Sequence, residues 1–265
     1  MSLALVAAAF FAASPFVVLD AGSTWSALRR IEAEHRGGWL GFEHDHWSGI
    51  AFAGRLWDGL GPVLVIAAFA LVVALVRRSS RADLVLGSFV VAYYVTLLPL
   101  HSHFPRYVLP LVPALGALAG RFRALVPVTV LMLVVPLTWA VRDARDLTRT
   151  DARIVAHGWV ERNLPRGATL AADSSTPDFA GFRVVPLALP RPGERTDPNR
   201  DLGRLRALGV RYVVVTGAVE DRVLAAAGDY PRETRFLHDL RKEKRVYAVH
   251  SGGELVGPWI EIYRL

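Results

Sequence analysis

The stretch LLPLHSHFPRYVLPLVPALGALAG, residues 97–120, sets four polar side chains between two apolar runs. They are His101, His103, Arg106 and Tyr107. Proline disfavours helix in the residue before it and is tolerated in the first turn of a helix. Pro105 therefore predicts a break at His103–Phe104 with a new helix behind it. What the polar groups do at this break depends on the kind of chain that surrounds it.

The composition excludes several classes of site. The chain has 265 residues, is 52% hydrophobic and contains no cysteine, so it has no disulfide, thiolate metal site or catalytic thiol. Its net charge is +7, but basic residues alternate with acids, as in RDARDLTRTDAR (142–153). Such alternation is typical of a solvated face, and no nucleic-acid motif is present. We expect no nucleic-acid partner and no cofactor.

Apolar runs dominate the first half of the chain. A transmembrane helix needs about 20 apolar residues, with about 17 as the lower limit. Five runs carry no charge: 1–19, 59–76, 84–100, 107–120 and 124–141. Four of them meet this limit, and 107–120 is shorter than it. The fold class predicted is an α-helical transmembrane bundle of about five helices over 1–142, followed by a small extracytoplasmic α/β domain over 143–265. Residues 1–19 also suit a signal peptide, but they lack a basic start, which favours a retained helix.

Charges and tryptophans predict the orientation. RRSSRAD (77–83) and RFR (121–123) are basic loops on one side, which indicates the cytoplasm. The outer side then holds loop 20–58, the HSHFPR turn and the C-terminal domain. The outer loop carries four tryptophans that favour the lipid headgroups: Trp25, Trp39, Trp47 and Trp57. We expect an interfacial helix in STWSALRRIEAEH with Ser23 or Thr24 as N-cap.

A histidine-rich segment in this loop suggests a metal site at first. In FEHDHW, His44 and His46 share a face of an extended chain, but no third ligand has a convincing spacing. We interpret the segment as a polar loop and expect no metal.

The C-terminal part alternates helix and strand patterns, which predicts a partly parallel sheet. We expect helices at 147–163, 197–209, 218–227 and 231–243, and strands at 168–173, 210–217, 245–250 and 259–265. The loop after Asp173 lies at a carboxyl strand end, where open sheets often bind ligands. No phosphate-binding motif accompanies it, so Asp173, Ser174 and Ser175 are interpreted as a polar turn.

The order of these features resembles one family. SPFVVLD, an aromatic outer loop, FPRYVLPLVPALGALAG, a last apolar run, ARIVAHGWVERNLPRGATLAAD and GPWIEIYRL resemble the C-terminal half of bacterial GT-C membrane glycosyltransferases. These are of the glycosyltransferase family 39 type, related to protein O-mannosyltransferases and to the aminoarabinose transferase of lipid A. The resemblance implies an integral protein of the bacterial plasma membrane, with its C-terminal domain outside.

The resemblance also implies a reaction. Such enzymes move a sugar from a polyprenyl-phosphate carrier to an extracytoplasmic acceptor, with a carboxylate in the first outer loop as general base. This chain has no good counterpart for that loop, so we expect it to lack the catalytic N-terminal half and to be inactive alone. The catalytic residues stay unknown.

Family members hold the lipid phosphate with arginines and tyrosines at the outer ends of helices. The resemblance therefore assigns Arg106 and Tyr107 to the phosphate, with His103 and His101 as further donors. A guanidinium suits phosphate oxygens because it offers paired donors. The alternative is that Arg106 reaches the headgroups as a membrane anchor and that Tyr107 is an interfacial aromatic.

Two other functions compete with the glycosyltransferase. One is a non-catalytic membrane protein that presents an outer α/β domain to a partner or a glycan. The other is a transporter, which the lack of charges within the apolar runs disfavours.

Overall fold

The structure, a computed structural model, describes residues 11–45, 47–77, 80–121 and 126–265. A helical part reaches to Asp146, and an α/β part follows from Thr150. The helical part contains α1 Phe16–Leu19, α2 Ala21–Gly37, α3 Ser48–Leu60, α4 Val63–Arg77, α5 Arg81–Leu97, a 3-10 helix Pro105–Val108, α6 Leu111–Ala119 and α7 Val126–Asp146.

Local signals fix several helix ends. A helix, α2, is present where the interfacial helix was predicted, but its N-cap is Asp20, whose carboxylate accepts from the Ser23 amide at 3.3 Å. The prediction of Ser23 or Thr24 as N-cap is wrong. Ser80 caps α5 by accepting from the Asp83 amide at 3.2 Å. Gly61, with a φ of 55°, ends α3 in a conformation that favours glycine.

The helical part has its own core. Helices α4, α5 and α6 pack together around side chains that are fully or nearly fully buried, such as Leu111, Leu115 and Leu118. The outer faces of α4, α5 and α7 carry large exposed apolar side chains: Val65, Phe69, Val72, Val76, Val85, Phe89, Val91, Val95, Val130, Leu131, Val134 and Leu137. An apolar surface of this extent is typical of contact with a membrane or a partner.

The predicted bundle of about five transmembrane helices is wrong. Among the described residues, only α7 is long and apolar enough to cross a membrane by itself. Helices α3 and α4 pass the same criterion only as a pair bent by 117°. At 1.5 Å per residue, α4 is ~22 Å long and α6 ~14 Å, against about 30 Å of hydrocarbon. Residues 1–10 of the first run lie outside the described residues.

Breaks inside the apolar runs explain this error. Gly61 and Pro62 separate α3 from α4, and Pro99 to Pro110 separate α5 from α6 with only a 3-10 turn between them. Hydropathy counts apolar residues but does not register such breaks. The apolar composition therefore predicted longer helices than the chain forms.

The α/β part is built on a mixed sheet. Its strands are β1 Thr150–Asp151, β2 Thr169–Asp173, β3 Arg183–Leu187, β4 Tyr212–Thr216, β5 Lys244–Val249, β6 Leu255–Val256 and β7 Ile260–Arg264. The main sheet has the order β3-β2-β4-β7-β5, with β2 parallel to both neighbours and β7 antiparallel to β4 and β5. β1 and β6 pair separately in parallel.

Helices cover both faces of this sheet. They are α8 Ala152–Asn163, α9 Leu202–Ala207, α10 Gly217–Ala225 and α11 Pro231–Leu240. Strand alternation divides the core, since Val213 and Val215 join α9, α10 and α11 while Val214 joins α8 on the other face. The partly parallel sheet and four of its strands are thus confirmed.

Three details of the α/β part were predicted wrongly. The helix expected at 147–163 begins only at Ala152, and the one expected at 197–209 shortens to α9. Strand β3 was missed because Pro186 lies within it, which is tolerated since β3 is an edge strand. The predicted polar turn is present, since the carbonyl oxygen of Asp173, the buried last residue of β2, accepts from the Thr176 amide at 3.1 Å across Ser174 and Ser175.

A short loop of the helical part packs against the α/β part. We call residues 38–45 the bridging loop. Its Leu40 is fully buried in the α/β core beside Val219 and Val223. The Nε2 atom of His44 lies 3.2 Å from the carbonyl oxygen of Ala225. The bridging loop therefore ties the helical part to the α/β part.

Candidate functional site: the cleft at the bridging loop

The bridging loop forms one wall of a cleft of about 820 Å³. Its lining comes from both parts of the chain: Arg36, Gly37, Gly38, Trp39, Phe42, Glu43, Asp45, Trp47, Ser48, Leu98, His101, His103, Pro192, Gly193 and Asp229. Two of the four residues predicted as a phosphate site, His101 and His103, lie in this lining. Aromatic rings, carboxylates and cationic groups meet here, which is the mixture that a polar ligand requires.

His103 is the most enclosed of the predicted site residues, with 3% of its surface exposed. Its Nδ1 atom lies 2.8 Å from Asp45 Oδ2, and its Nε2 atom lies 3.1 Å from both Ser48 Oγ and the Leu100 carbonyl oxygen. The Ser48 hydroxyl donates to the same carbonyl at 2.7 Å. All polar atoms of the ring are thus occupied, so His103 positions its neighbours.

Arg55 completes this cluster. Its Nε atom donates to the His103 carbonyl oxygen at 3.1 Å, and its Nη2 atom lies 3.8 Å from Asp45 Oδ2. A carboxylate between an imidazole and a guanidinium is held in one orientation. Asp45 itself keeps 28% of its side-chain surface exposed at the cleft. Among the described residues only Oδ2 of Asp45 has a partner, which leaves Oδ1 for a ligand.

Glu43 differs from Asp45 in that both its oxygens are engaged. The Tyr230 hydroxyl donates to Oε1 at 2.6 Å, and the Gly41 amide donates to Oε2 at 2.7 Å. Burial, and then the bond to this carboxylate, raises the pKa of Tyr230. Glu43 therefore fastens the bridging loop to the α/β part, whereas Asp45 and the exposed Asp229 keep carboxylate oxygens without a partner among the described residues.

Tyr107 and His35 form a second polar contact behind the cleft. The Tyr107 hydroxyl lies 3.0 Å from His35 Nε2, and His35 Nδ1 lies 2.9 Å from Ser102 Oγ. Burial, and then the positive charge of Arg106, lowers the pKa of His35. The predicted phenolic donor is therefore already bonded to an imidazole.

Arg106 is exposed at the start of the 3-10 helix. Its guanidinium carbon lies 4.4 Å from the centre of the Phe104 ring and 5.3 Å from that of Tyr107. Among the described residues, no carboxylate lies within 4 Å of it. A cation held on aromatic rings, with donors that no described residue pairs, is arranged to bind an anion.

An aromatic cluster connects Arg106 with the cleft. Phe104 contacts Phe42 edge to face at 4.9 Å between ring centres and Trp39 at 5.8 Å. Arg191 lies over the other side of this cluster, 5.1 Å from the Trp39 ring centre. The structure thus places Arg106 and Tyr107 against Phe104 and His103 against Phe42, while His101 lies exposed in the cleft lining.

Sequence reasoning missed the partners of these residues. Asp45, Ser48 and Arg55 contact His103 from about fifty residues away, and no local spacing indicates such contacts. Within the described ranges no group of three metal-ligating side chains occurs, and His46 lies outside them. No protein-family model, no curated protein and no solved structure matches this chain.

Proposed function

We propose that the chain is part of a membrane glycosyltransferase that moves a sugar from a polyprenyl-phosphate carrier to an extracytoplasmic acceptor. The observation that carries the proposal is Arg106, a guanidinium without a carboxylate partner in the described part of the chain, near a cleft where Asp45 Oδ1 also lacks a described partner. A carrier of this kind needs three surfaces: one for its lipid chain, one for its phosphate and one for its sugar. The chain offers a candidate for each.

Lipid contact is assigned to the exposed apolar faces of α4, α5 and α7. These faces are too extensive for a surface in water, and α7 is long enough to cross the hydrocarbon region. Leu109, three residues after Arg106 in the sequence, adds an apolar side chain that is 62% exposed. A polyprenyl chain on this surface would bring its phosphate close to the guanidinium.

Phosphate contact is assigned to Arg106. A guanidinium forms paired, charge-assisted hydrogen bonds with phosphate oxygens, and a low dielectric near lipid strengthens them. The rings of Phe104 and Tyr107 contact the Arg106 guanidinium, so this side chain loses less conformational freedom when it binds a phosphate. His101, exposed in the cleft, is a second donor. His103 and Tyr107 act by positioning, because their polar atoms already have partners.

Sugar contact is assigned to the cleft. Trp39, Phe42 and Trp47 line it together with Asp45 and Asp229. Saccharides bind through apolar ring faces and hydroxyl groups, so aromatic rings and carboxylate acceptors suit them. Asp45 Oδ1, which has no partner among the described residues, is in addition free to take a proton from an acceptor hydroxyl.

The proposed orientation places the α/β part outside the cytoplasm. Arg77, Arg81 and Arg121 lie at the ends of α4, α5 and α6, and Arg121 pairs with the buried carboxylate of Asp83. The α/β part follows the opposite end of α7. Basic residues favour the cytoplasmic side, so they favour an external α/β part.

Photo-crosslinking tests this function. The detergent-solubilised chain would be illuminated with a polyprenyl phosphate that carries a diazirine near its phosphate, and the labelled peptides would be identified by mass spectrometry. We expect labelling of residues 101–109 and of the bridging loop, with competition by unlabelled polyprenyl phosphate. Labelling spread over α4 and α5 alone, or no competition, would leave the chain as a lipid-embedded protein without a carrier site.

A further inference from the structure

The edge of the main sheet where β5 and β7 pair carries a cavity of about 650 Å³. Two strands and two helices supply the lining: Trp259, Glu261 and Tyr263 belong to β7 or precede it directly, Arg245 belongs to β5, Asp221 belongs to α10, and Arg241 follows α11. None of these residues lines the cleft at the bridging loop. The cavity is therefore a candidate site that is separate from the proposed carrier site.

Strand β7 places a polar pair on the cavity side of the sheet. Ile260 and Ile262 pack on the face that α8 covers, so Glu261 and Tyr263 lie on the other face. The Tyr263 hydroxyl donates to Glu261 Oε2, and Arg245 Nη1 donates to Glu261 Oε1, both at 2.5 Å. Both oxygens of this nearly buried carboxylate are thus engaged, and they hold the Arg245 guanidinium in a fixed orientation.

Arg241 is held in the same way by α10. Its Nη2 atom donates to Oε1 of Glu220, a carboxylate with 2% of its side-chain surface exposed. The side chains of Arg241 and Arg245 are themselves about half exposed. Among the described residues, Nε and Nη1 of Arg241 and Nε and Nη2 of Arg245 have no hydrogen-bond partner. Each guanidinium is therefore anchored at one end by a buried carboxylate and offers its other donors to a ligand.

Trp259 adds a flat apolar ring whose orientation is also fixed. Its Nε1 atom donates to the two carboxylate oxygens of Asp221 at 3.0 and 3.1 Å. Its ring lies so close to Gly217 that an added Cβ there would overlap the indole. Trp259 stays partly exposed, and the ring of His250, which also lines the cavity, lies 6.4 Å away between ring centres. A sugar ring has apolar faces that stack on an indole held in this way.

The charges of the lining favour a neutral ligand. The two guanidinium groups are matched within the lining by the carboxylates of Asp221 and Glu261. An anion therefore meets no excess positive charge here. A hydroxyl group both donates and accepts, so it suits the free guanidinium donors and the remaining lone pairs of the exposed Asp221.

We propose that this cavity binds a neutral saccharide, with one sugar ring against Trp259 and hydroxyl groups bonded to Arg241, Arg245 and Asp221. The polar groups and the indole are held by hydrogen bonds before the ligand arrives, so little side-chain freedom is lost on binding. The site does not depend on the proposed glycosyltransferase activity. It gives the α/β part a binding function of its own.

Calorimetric titration of the full chain, solubilised in a detergent without a sugar headgroup, tests the proposal. The neutral probes are maltotetraose, cellotetraose and chitotetraose, and the acidic probe is trigalacturonate. We expect at least one neutral oligosaccharide to bind, and to bind more tightly than trigalacturonate. Absence of binding by all three neutral probes at millimolar concentration, or tighter binding of trigalacturonate than of each of them, overturns the proposal.

Three matched tryptophan variants locate the site. Trp259→Leu keeps an apolar side chain but removes the ring, and it should weaken oligosaccharide binding about tenfold. Trp159→Leu makes the same change on α8, where the ring stacks on Tyr247 outside this cavity, and should bind like the wild type. Trp39→Leu makes it in the cleft at the bridging loop and should also bind like the wild type. If Trp39→Leu loses binding and Trp259→Leu keeps it, the saccharide occupies that cleft, and this proposal fails while the proposed function stands.

A surface variant keeps the test valid if Trp259→Leu does not fold. Asp221 is exposed, so Asp221→Ala should leave the thermal midpoint near that of the wild type. It removes the partner of the Trp259 indole and an acceptor for a sugar hydroxyl, and it should weaken binding about fivefold. Unchanged affinity in Asp221→Ala overturns the proposal.

Discussion

Replacing His103 with leucine should destabilise the junction between the two parts of the chain. The ring is nearly fully buried and contacts Asp45, Ser48 and the Leu100 carbonyl. A bond to a charged group contributes about 1.5–3 kcal/mol and a neutral bond about 1 kcal/mol. Because the Ser48–Leu100 bond remains, we expect His103→Leu to lower the free energy of unfolding by about 3 kcal/mol.

The assay is unfolding by denaturant in detergent, followed by tryptophan fluorescence, since Trp39 and Trp47 line the same cleft. His101→Leu is the matched control: the same change in the same segment, but at an exposed position, where the effect should stay within about 0.5 kcal/mol. A double-mutant cycle of His103→Leu with Asp45→Asn should give a coupling of about 1 kcal/mol or more. Equal effects of the two leucine variants, or strict additivity in the cycle, would refute the role assigned to His103.

Three further predictions concern stability and orientation. Burial, offset in part by Arg241, raises the pKa of Glu220 to about 7 from an ordinary 4.5, so the stability that it contributes is complete below about pH 4.5 and is lost as the pH rises through 7. At 1.36 kcal/mol per pKa unit the shift corresponds to about 3 kcal/mol, which we discount to about 2 kcal/mol because Arg241 is half exposed. Glu220→Gln should remove this pH dependence of the free energy of unfolding, measured between pH 4 and 8. An unchanged pH dependence would contradict the role of Glu220. Leu40→Ala should cost about 2–5 kcal/mol, measured by thermal unfolding, because Leu40 is fully buried in the α/β core; a loss below 1 kcal/mol would mean that the bridging loop is not anchored there. Alkaline phosphatase fused after Leu265 should be active in a bacterial host. An inactive phosphatase fusion, together with fluorescence of a fluorescent protein fused at the same position, would mean that the α/β part lies in the cytoplasm.

Periodicity and turn residues were enough to predict most of the α/β part. VRYVVVTG is valine-rich and bounded by glycines, and it forms the central strand β4. The helical part was predicted less well. A charge-free run such as 59–76 indicates apolar surroundings, but Gly61 and Pro62 bend the chain, and sequence hydropathy contains no term for that bend.

The candidate site was predicted only in part. The break at Pro105 and the exposed Arg106 follow from local chemistry, because proline restricts its neighbours and a guanidinium keeps its donors in reach of solvent or ligand. The partnership of His103 with Asp45, and the buried pair of Asp173 with Arg200, join distant segments. Such pairs depend on packing, which a single sequence does not encode in any local pattern.

Binding of a polyprenyl phosphate to Arg106 variants tests the proposed carrier site most directly. Charge-assisted bonds to phosphate contribute about 1.5–3 kcal/mol, and 1.4 kcal/mol is a factor of ten. Affinity measured on the solubilised chain should therefore fall at least about tenfold in Arg106→Ala and by less in Arg106→Lys, which keeps the charge but loses the paired donors. Arg30→Ala, an exposed arginine of α2, should bind like the wild type. Equal affinity in all four proteins, with a lower thermal midpoint in Arg106→Ala alone, would make Arg106 a membrane anchor and contradict the proposed carrier site.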